Sequence, residues 1–194
     1  MASRNSNPDR TFSQTSTWRT CPVCCGIPSL ETCLTRSLDA LGLQPAVAAG
    51  RLLLVDLPCG FAFRALTPAG APREQVLVMT ENPCPEYGED LWALQPAGLI
   101  VGIQFDHTLI DALVRVGRGE RYRLTPARPS PLTATEGALL RVVAHGWDNV
   151  RIARQFHVED KTVRNALTRI YTKLGVANRV EAALYYWGCA DLST

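Results

Sequence analysis

The last third of the chain is written as four short amphipathic segments, each with its own start and stop signal. "TATEGALLRVVAHG" sets Thr133 and Glu136 at the spacing of a capping box, continues with Leu139, Leu140 and Val143, and ends at Gly146. "DNVRIARQF" opens on Asp148, a good N-cap. "DKTVRNALTRIYTKLG" places Val163, Leu167, Ile170 and Leu174 on one helical face and stops at Gly175. "NRVEAALYYWG" repeats the capping-box spacing with Asn178 and Glu181. Helices this short are stable only when they bury their apolar faces against one another. The pattern predicts an all-α four-helix domain over residues 132–194, a size that folds alone.

The second and third segments are joined only by "HVE", which predicts a helix-turn-helix. Charge then narrows the partner. The 194-residue chain has a net charge of only +2, and its first 130 residues balance. Between Arg151 and Arg179, however, Arg151, Arg154, Lys161, Arg164, Arg169, Lys173 and Arg179 face only Glu159 and Asp160. Lys161, Arg164 and Arg169 lie opposite the apolar stripe, so the third helix presents a basic face suited to a polyanion.

The specific residues go further. Thr133 with Glu136, Gly146, Asn149, "IA" at Ile152–Ala153, "KTVRN" at Lys161–Asn165, "KLGV" at Lys173–Val176 and "NRVEAA" at Asn178–Ala183 resemble the LuxR-type helix-turn-helix domain, without gaps over Leu132–Tyr186. The resemblance implies a recognition helix starting near Asp160 and entering the major groove of double-stranded DNA. Arg164 and Asn165 would fall at base-reading positions, Arg164 suited to guanine and Asn165 to adenine, with Thr168 one turn further on. Asn149, Lys161, Thr162, Arg169 and Lys173 would contact phosphates. It also implies a homodimer, with Val180, Leu184 and Trp187 of the last helix as dimerisation candidates, and RNA polymerase as a further partner. Two departures stand out: Glu159 replaces the usual hydroxyl cap, and Ala166 replaces a common His. Together Glu159 and Asp160 suit the helix dipole but repel phosphate.

Upstream, residues 124–131 form a Pro-rich linker and residues 1–18 a polar tail without periodicity, predicted to be disordered. No apolar run approaches the roughly 20 residues needed to span a bilayer. The expectation is a cytoplasmic protein whose seven cysteines are reduced thiols. Between tail and linker, "RLLLVDLP", "QVLVMT" and "GLIVGI" read as buried strands. "SLETCLTRSLDALG", with Ser29 as N-cap and Gly42 as C-cap, and "LIDALVRVGRG" read as amphipathic helices. Such alternation predicts an α/β domain with a parallel sheet over residues 19–123.

This domain resembles a truncated, flavodoxin-like receiver domain of NarL/FixJ-type response regulators. Asp56 stands at the phospho-acceptor position and Thr80 at the following hydroxyl. Phosphoryl transfer to an aspartate also needs acids to hold Mg²⁺ and a Lys to balance charge. The acid-pair positions fall on Cys25 and Gly26, the Lys position on Gly102 and the aromatic switch position on Leu99. Too few residues separate Gly42 from Arg51 for a normal second strand and helix. The expectation is a transcriptional regulator, not an enzyme, with no cofactor and no dependence on Asp56 phosphorylation.

The remaining question is "CPVCCGIP". In an extended strand Cys21 and Cys24 face opposite ways, so this CxxC cannot chelate without a turn. Cys25, Cys59 and Cys84 all follow strand ends beside Asp56, leaving a metal- or thiol-redox-sensing regulator as the alternative.

Overall fold

The computed structural model describes residues 23–40, 52–102, 107–126 and 129–189. The tail over 1–18, Cys21, the helix end at Gly42 and two residues of the linker lie outside the described residues.

Strand β1 (Val23–Cys25) forms within "CPVCCGIP", and three strands form where the apolar runs stand: β2 (Leu52–Val55), β3 (Val76–Thr80) and β4 (Gly98–Val101). Every residue of β2 and β3 is buried, as strands covered on both faces require. A further strand, β5 (Tyr122–Leu124), lies between the "LIDALVRVGRG" segment and the linker, where no apolar run stands. Its side chains are mostly exposed and short in number, so no periodic signal marks it. Among the described residues the sheet runs β1-β2-β3-β4-β5, with all pairs parallel.

The period-two alternation of the strands sorts the helices onto two faces. Val23, Cys25, Leu53, Val55, Leu77 and Met79 meet α1 (Pro28–Ala40) through Leu34 and Leu38. The same face meets α4 (His107–Gly117) through Leu109 and Leu113. Helix α1 begins at Pro28, so Ser29 lies inside its first turn instead of capping it. Leu52, Leu54, Val76 and Val78 point the other way, towards α2 (Phe61–Leu66) and α3 (Pro85–Ala93).

The C-terminal helices are α5 (Ala134–Ala144), α6 (Asn149–Phe156), α7 (Asp160–Leu174) and α8 (Arg179–Tyr186). The expected caps are present. Thr133 Oγ1 accepts from the Glu136 amide and the Glu136 carboxylate accepts from the Thr133 amide, closing the capping box. Asp148 caps α6, accepting from the Arg151 amide at 2.7 Å, and Asn178 caps α8, accepting from the Glu181 amide at 3.0 Å. Val163, Leu167, Ile170 and Leu174 of α7 are all buried.

One cap doubles as a tie between helices. Lys173 Nζ, on α7, donates to Glu136 Oε2 at 2.6 Å. That bond, then the Thr133 amide, holds the Glu136 carboxyl from 4.5 down to about 2. A lowered folded-state pKa contributes stability above the unfolded value and loses it as pH falls through the folded one. Acid unfolding of the parent should therefore steepen between pH 4.5 and about 2. In Glu136→Gln that part of the slope should be missing, which a pH series of urea titrations reads directly.

One apolar core runs from Leu54, Val78, Tyr87 and Leu91 beneath the sheet into Leu140, Val143, Ile170 and Tyr186 of the helical half.

Candidate nucleic-acid interface and the Asp56 pocket

Helix α7 has two faces. Its apolar stripe is buried, and Lys161, Thr162, Arg164, Asn165, Thr168, Arg169 and Lys173 are exposed on the other side. The turn into it is made by His157, in the left-handed region at φ 54, and Glu159 at the N-cap position makes no side-chain cap bond. Several expected contact residues already have partners. Arg164 pairs with Asp160 at 2.7 Å, one helical turn back. Both side chains are well exposed, so the pair is worth a few tenths of a kcal/mol and exchanges readily for a stronger acceptor. Thr168 Oγ1 donates to the Arg164 carbonyl at 3.1 Å. Lys173 is held by Glu136, and Asn149 Oδ1 accepts from Arg179 Nη1 at 3.0 Å. Arg179 Nη2 is buried without a partner. The structure thus leaves Lys161, Thr162, Asn165 and Arg169 on the open face and ties Lys173 and Asn149 into the helical scaffold.

On α8, Val180 is 67% exposed and Leu184 42%. Trp187, grouped with them from its spacing, is turned inward. Its Nε1 donates to the Ala144 carbonyl at 3.1 Å, and its ring packs against Tyr186, His145 and Tyr87 at centroid distances of 5.3, 5.5 and 5.9 Å. It belongs to the contact between the two halves. Its amphipathic ring fills that seam better than an open surface, an outcome helical spacing alone does not reveal.

Asp56 follows β2 directly and is 1% exposed. Both carboxylate oxygens are occupied. Oδ1 accepts from the Ala62 amide at 2.8 Å, and Oδ2 accepts from Thr80 Oγ1 at 3.0 Å and from the Tyr87 hydroxyl at 2.5 Å. The Tyr87 oxygen in turn accepts from the Gly60 amide at 2.7 Å. Burial, then the Asp56 charge, pushes the Tyr87 hydroxyl far above its usual range, so it acts as a neutral donor. A phosphorylatable aspartate needs an oxygen open to an in-line donor and cations to balance the phosphoryl group. Here three neutral donors fill the site, and among the described residues no Lys or Arg is bonded to Asp56.

Tyr87 lies on α3, an element the apolar periodicity does not mark. Pro85 at its start and Glu86 in its first turn were the available signals. The same helix carries the contact with the helical half. Asp90, 7% exposed, accepts a two-pronged pair from Arg141 of α5 and a 2.6 Å bond from the Tyr186 hydroxyl of α8. Glu86, also buried, accepts from Ser130 of the linker and from the Cys84 thiol at 3.1 Å. Asn82 Nδ2 donates to the Tyr186 carbonyl at 2.9 Å. The arginines of the exit segment are likewise engaged: Arg121 and Arg123 stack on Trp92, and Arg123 pairs with Glu89.

The structure corrects the grouping of Cys25, Cys59 and Cys84. Cys25 packs under the α1/α4 face of the sheet, whereas Cys84 and Cys59 pack on the other face. Cys25 ends β1, whereas Cys59 lies in the turn after β2 and Cys84 at the N-cap of α3. Among the described residues no group of three His, Cys, Asp or Glu is placed to hold a metal ion. The described cysteines are free thiols.

Residues 130–186 match the family profile described as bacterial regulatory proteins, luxR family, and this segment is a LuxR-family helix-turn-helix domain. Response regulator RamR of Streptomyces coelicolor is 35% identical over 83 residues, 39% of this chain and 41% of that protein. The DNA-binding transcriptional activator DevR/DosR of Mycobacterium tuberculosis is 29% identical over 102 residues, 50% of this chain and 46% of that protein. The chain thus spans less than half the length of these curated relatives. A structure of two RcsB dimers bound to two parallel DNAs aligns with 87% of this chain and 96% of that one, at 18% identity and a TM-score of 0.49. Among the described residues no helix is long and apolar enough to cross a membrane.

Proposed function

We propose that this chain is a sequence-specific DNA-binding transcriptional regulator whose sheet half works without phosphorylation of Asp56. The observation that carries the DNA reading is the split of α7 into a buried stripe and an exposed basic face within a LuxR-family domain. Arg164 leaves Asp160 to bridge guanine O6 and N7, and Asn165 takes adenine N6 and N7. Lys161, Thr162 and Arg169 grip phosphates and fix the register. Asn149 and Lys173 hold the scaffold that aims them. A second copy joins through Val180 and Leu184, so that two recognition helices read two half-sites of double-stranded DNA. Such a protein works in the cytoplasm, where RNA polymerase is its downstream partner.

The occupied Asp56 pocket supports the second part of the reading. The carboxylate serves as the acceptor that organises the start of α2, the end of β3 and the middle of α3.

Arg164→Ala tests the recognition helix. Affinity for the cognate site should fall by about 1–3 kcal/mol, roughly 5- to 150-fold, with discrimination relaxed at one base pair. Lys161→Ala should instead weaken all sequences alike and lower the salt slope by about one. If folded Arg164→Ala binds its site as tightly and selectively as the parent, the assignment of the reading residues fails.

A further inference from the structure

We propose that Cys59 and Cys189 form a redox pair, which a hydroperoxide converts into a disulfide that fastens the helix-turn-helix half to the sheet half. The disulfide stands on the docking geometry, and only its regulatory consequence rests on the proposed DNA-binding function.

The two thiols flank one contact from opposite sides. Cys59 lies three residues beyond Asp56 and is half-buried, with its Sγ accepting from Asn82 Nδ2 at 3.3 Å. The same Nδ2 donates to the Tyr186 carbonyl at 2.9 Å, so one amide holds both Cys59 and the end of α8. Backbone approach there is close enough to exclude side chains. A Cβ at Gly188, whose φ is +69, would lie 2.7 Å from Asn82 Oδ1 and 3.2 Å from its Cα. A Cβ at Gly60 would lie 3.1 Å from the Trp187 ring. Gly60 adjoins Cys59, and Gly188 adjoins Cys189. Burial, the largest cause, raises the Cys59 pKa, with smaller contributions in the same direction from Asp56 and then Cys189.

Their environments divide the chemistry. Cys189 is exposed and lies past the last helical turn, its amide donating to the Leu184 carbonyl at 2.8 Å and its thiol to the Trp187 carbonyl at 3.5 Å, a weak bond that the thiol gives up to meet Cys59. Its thiolate attacks hydrogen peroxide, the O–O bond breaks, and Cys189 sulfenic acid and water result once the leaving hydroxide takes a proton. Cys59 then gives up its proton and its sulfur attacks the Cys189 sulfur. The S–O bond breaks, and the departing hydroxide leaves with that proton as water. Overall the two thiols lose two electrons and two protons, and one peroxide becomes two waters. Cys84 is excluded because its buried thiol is bonded to Glu86, and Cys25 because it lies on the other sheet face.

The experiment treats reduced, full-length protein with hydrogen peroxide, blocks remaining thiols, and maps tryptic peptides without reduction. The expected product is Leu52–Arg64 linked to Val180–Thr194 within one chain, with two thiols lost and both restored by dithiothreitol. It should be absent from C189S, which alters only an exposed side chain, and from C59S. In a variant whose halves melt separately when reduced, oxidation should restore a single transition. Free thiols after treatment, a Cys189 that stops at sulfinic acid, a link between two chains, or two transitions despite the link would each overturn the proposal.

Discussion

Asp90→Ala is expected to cost about 2–4 kcal/mol and to split one unfolding transition into two. Three helices converge on the Asp90 carboxylate: it stands on α3, receives Arg141 from α5 and receives the Tyr186 hydroxyl from α8. The two donors are not equivalent. Arg141 has a side chain 45% exposed and turns to water when released, so its share is small. The Tyr186 hydroxyl is fully buried and loses its acceptor outright, which carries the desolvation penalty of an unpaired polar group. Burial, then its bond to Asp90, raises the Tyr186 pKa well above its usual range, so the hydroxyl cannot escape by ionising. The carboxylate also holds the Arg141 guanidinium charged, raising its pKa further. For a chain of this size the loss lowers the melting temperature by roughly 4–16 °C. Tyr186→Phe, which removes donor and need together, should cost less, about 1 kcal/mol. Trp92 reports on the sheet half, Trp147 on the helical half and Trp187 on the seam between them, so fluorescence and far-UV circular dichroism should lose coincidence in Asp90→Ala. A single transition at the parental midpoint would show that the carboxylate does not hold the seam.

The helical half was legible because its signals are local. Caps, apolar spacing and stop glycines all lie within a few residues of the element they define, and Thr133, Asp148 and Asn178 cap their helices as the spacing requires. The buried strands were legible for a similar reason, since an apolar run of four or five residues carries its own burial. What the sequence did not reveal depends on contacts between distant residues. Tyr87 reaches Asp56 across 31 positions, and Tyr186 reaches Asp90 across 96. No pattern in "PCPEYGEDLWA" announces either meeting. Trp187 shows the same limit in reverse. Its spacing with Val180 and Leu184 placed it on an open face, while its ring found the seam made by Gly60 and Tyr87. The residues at Cys25, Gly26 and Gly102 could be read beforehand, whereas the neutral donors that hold Asp56 could not.

Those donors set the sign of the last expectation. In a site where several carboxylates crowd together, deleting one relieves repulsion and stabilises the fold. The partners of Asp56 among the described residues are an amide and two hydroxyls. Asp56→Ala should therefore destabilise, leaving the Ala62 amide and the Thr80 and Tyr87 hydroxyls without acceptors in a site closed to water. Each such group costs about 1–3 kcal/mol, and re-pairing among them keeps the total near 3–5 kcal/mol. Asp56→Asn retains one acceptor oxygen but sets an amide N–H₂ against a hydroxyl donor, so roughly half of that loss is expected. Urea unfolding of the two variants, compared through their midpoints at constant slope, measures both values. The same pocket predicts the response to a phosphodonor. Acetyl phosphate with Mg²⁺ should add no phosphoryl mass to the parent protein and should leave its DNA affinity unchanged, because acceptance would require Asp56 to surrender its bonds from Tyr87 and Thr80. A stoichiometric phosphoryl adduct at Asp56, or an Asp56→Ala variant as stable as its parent, would show that the aspartate still works as an acceptor and that its three bonds contribute little to the fold.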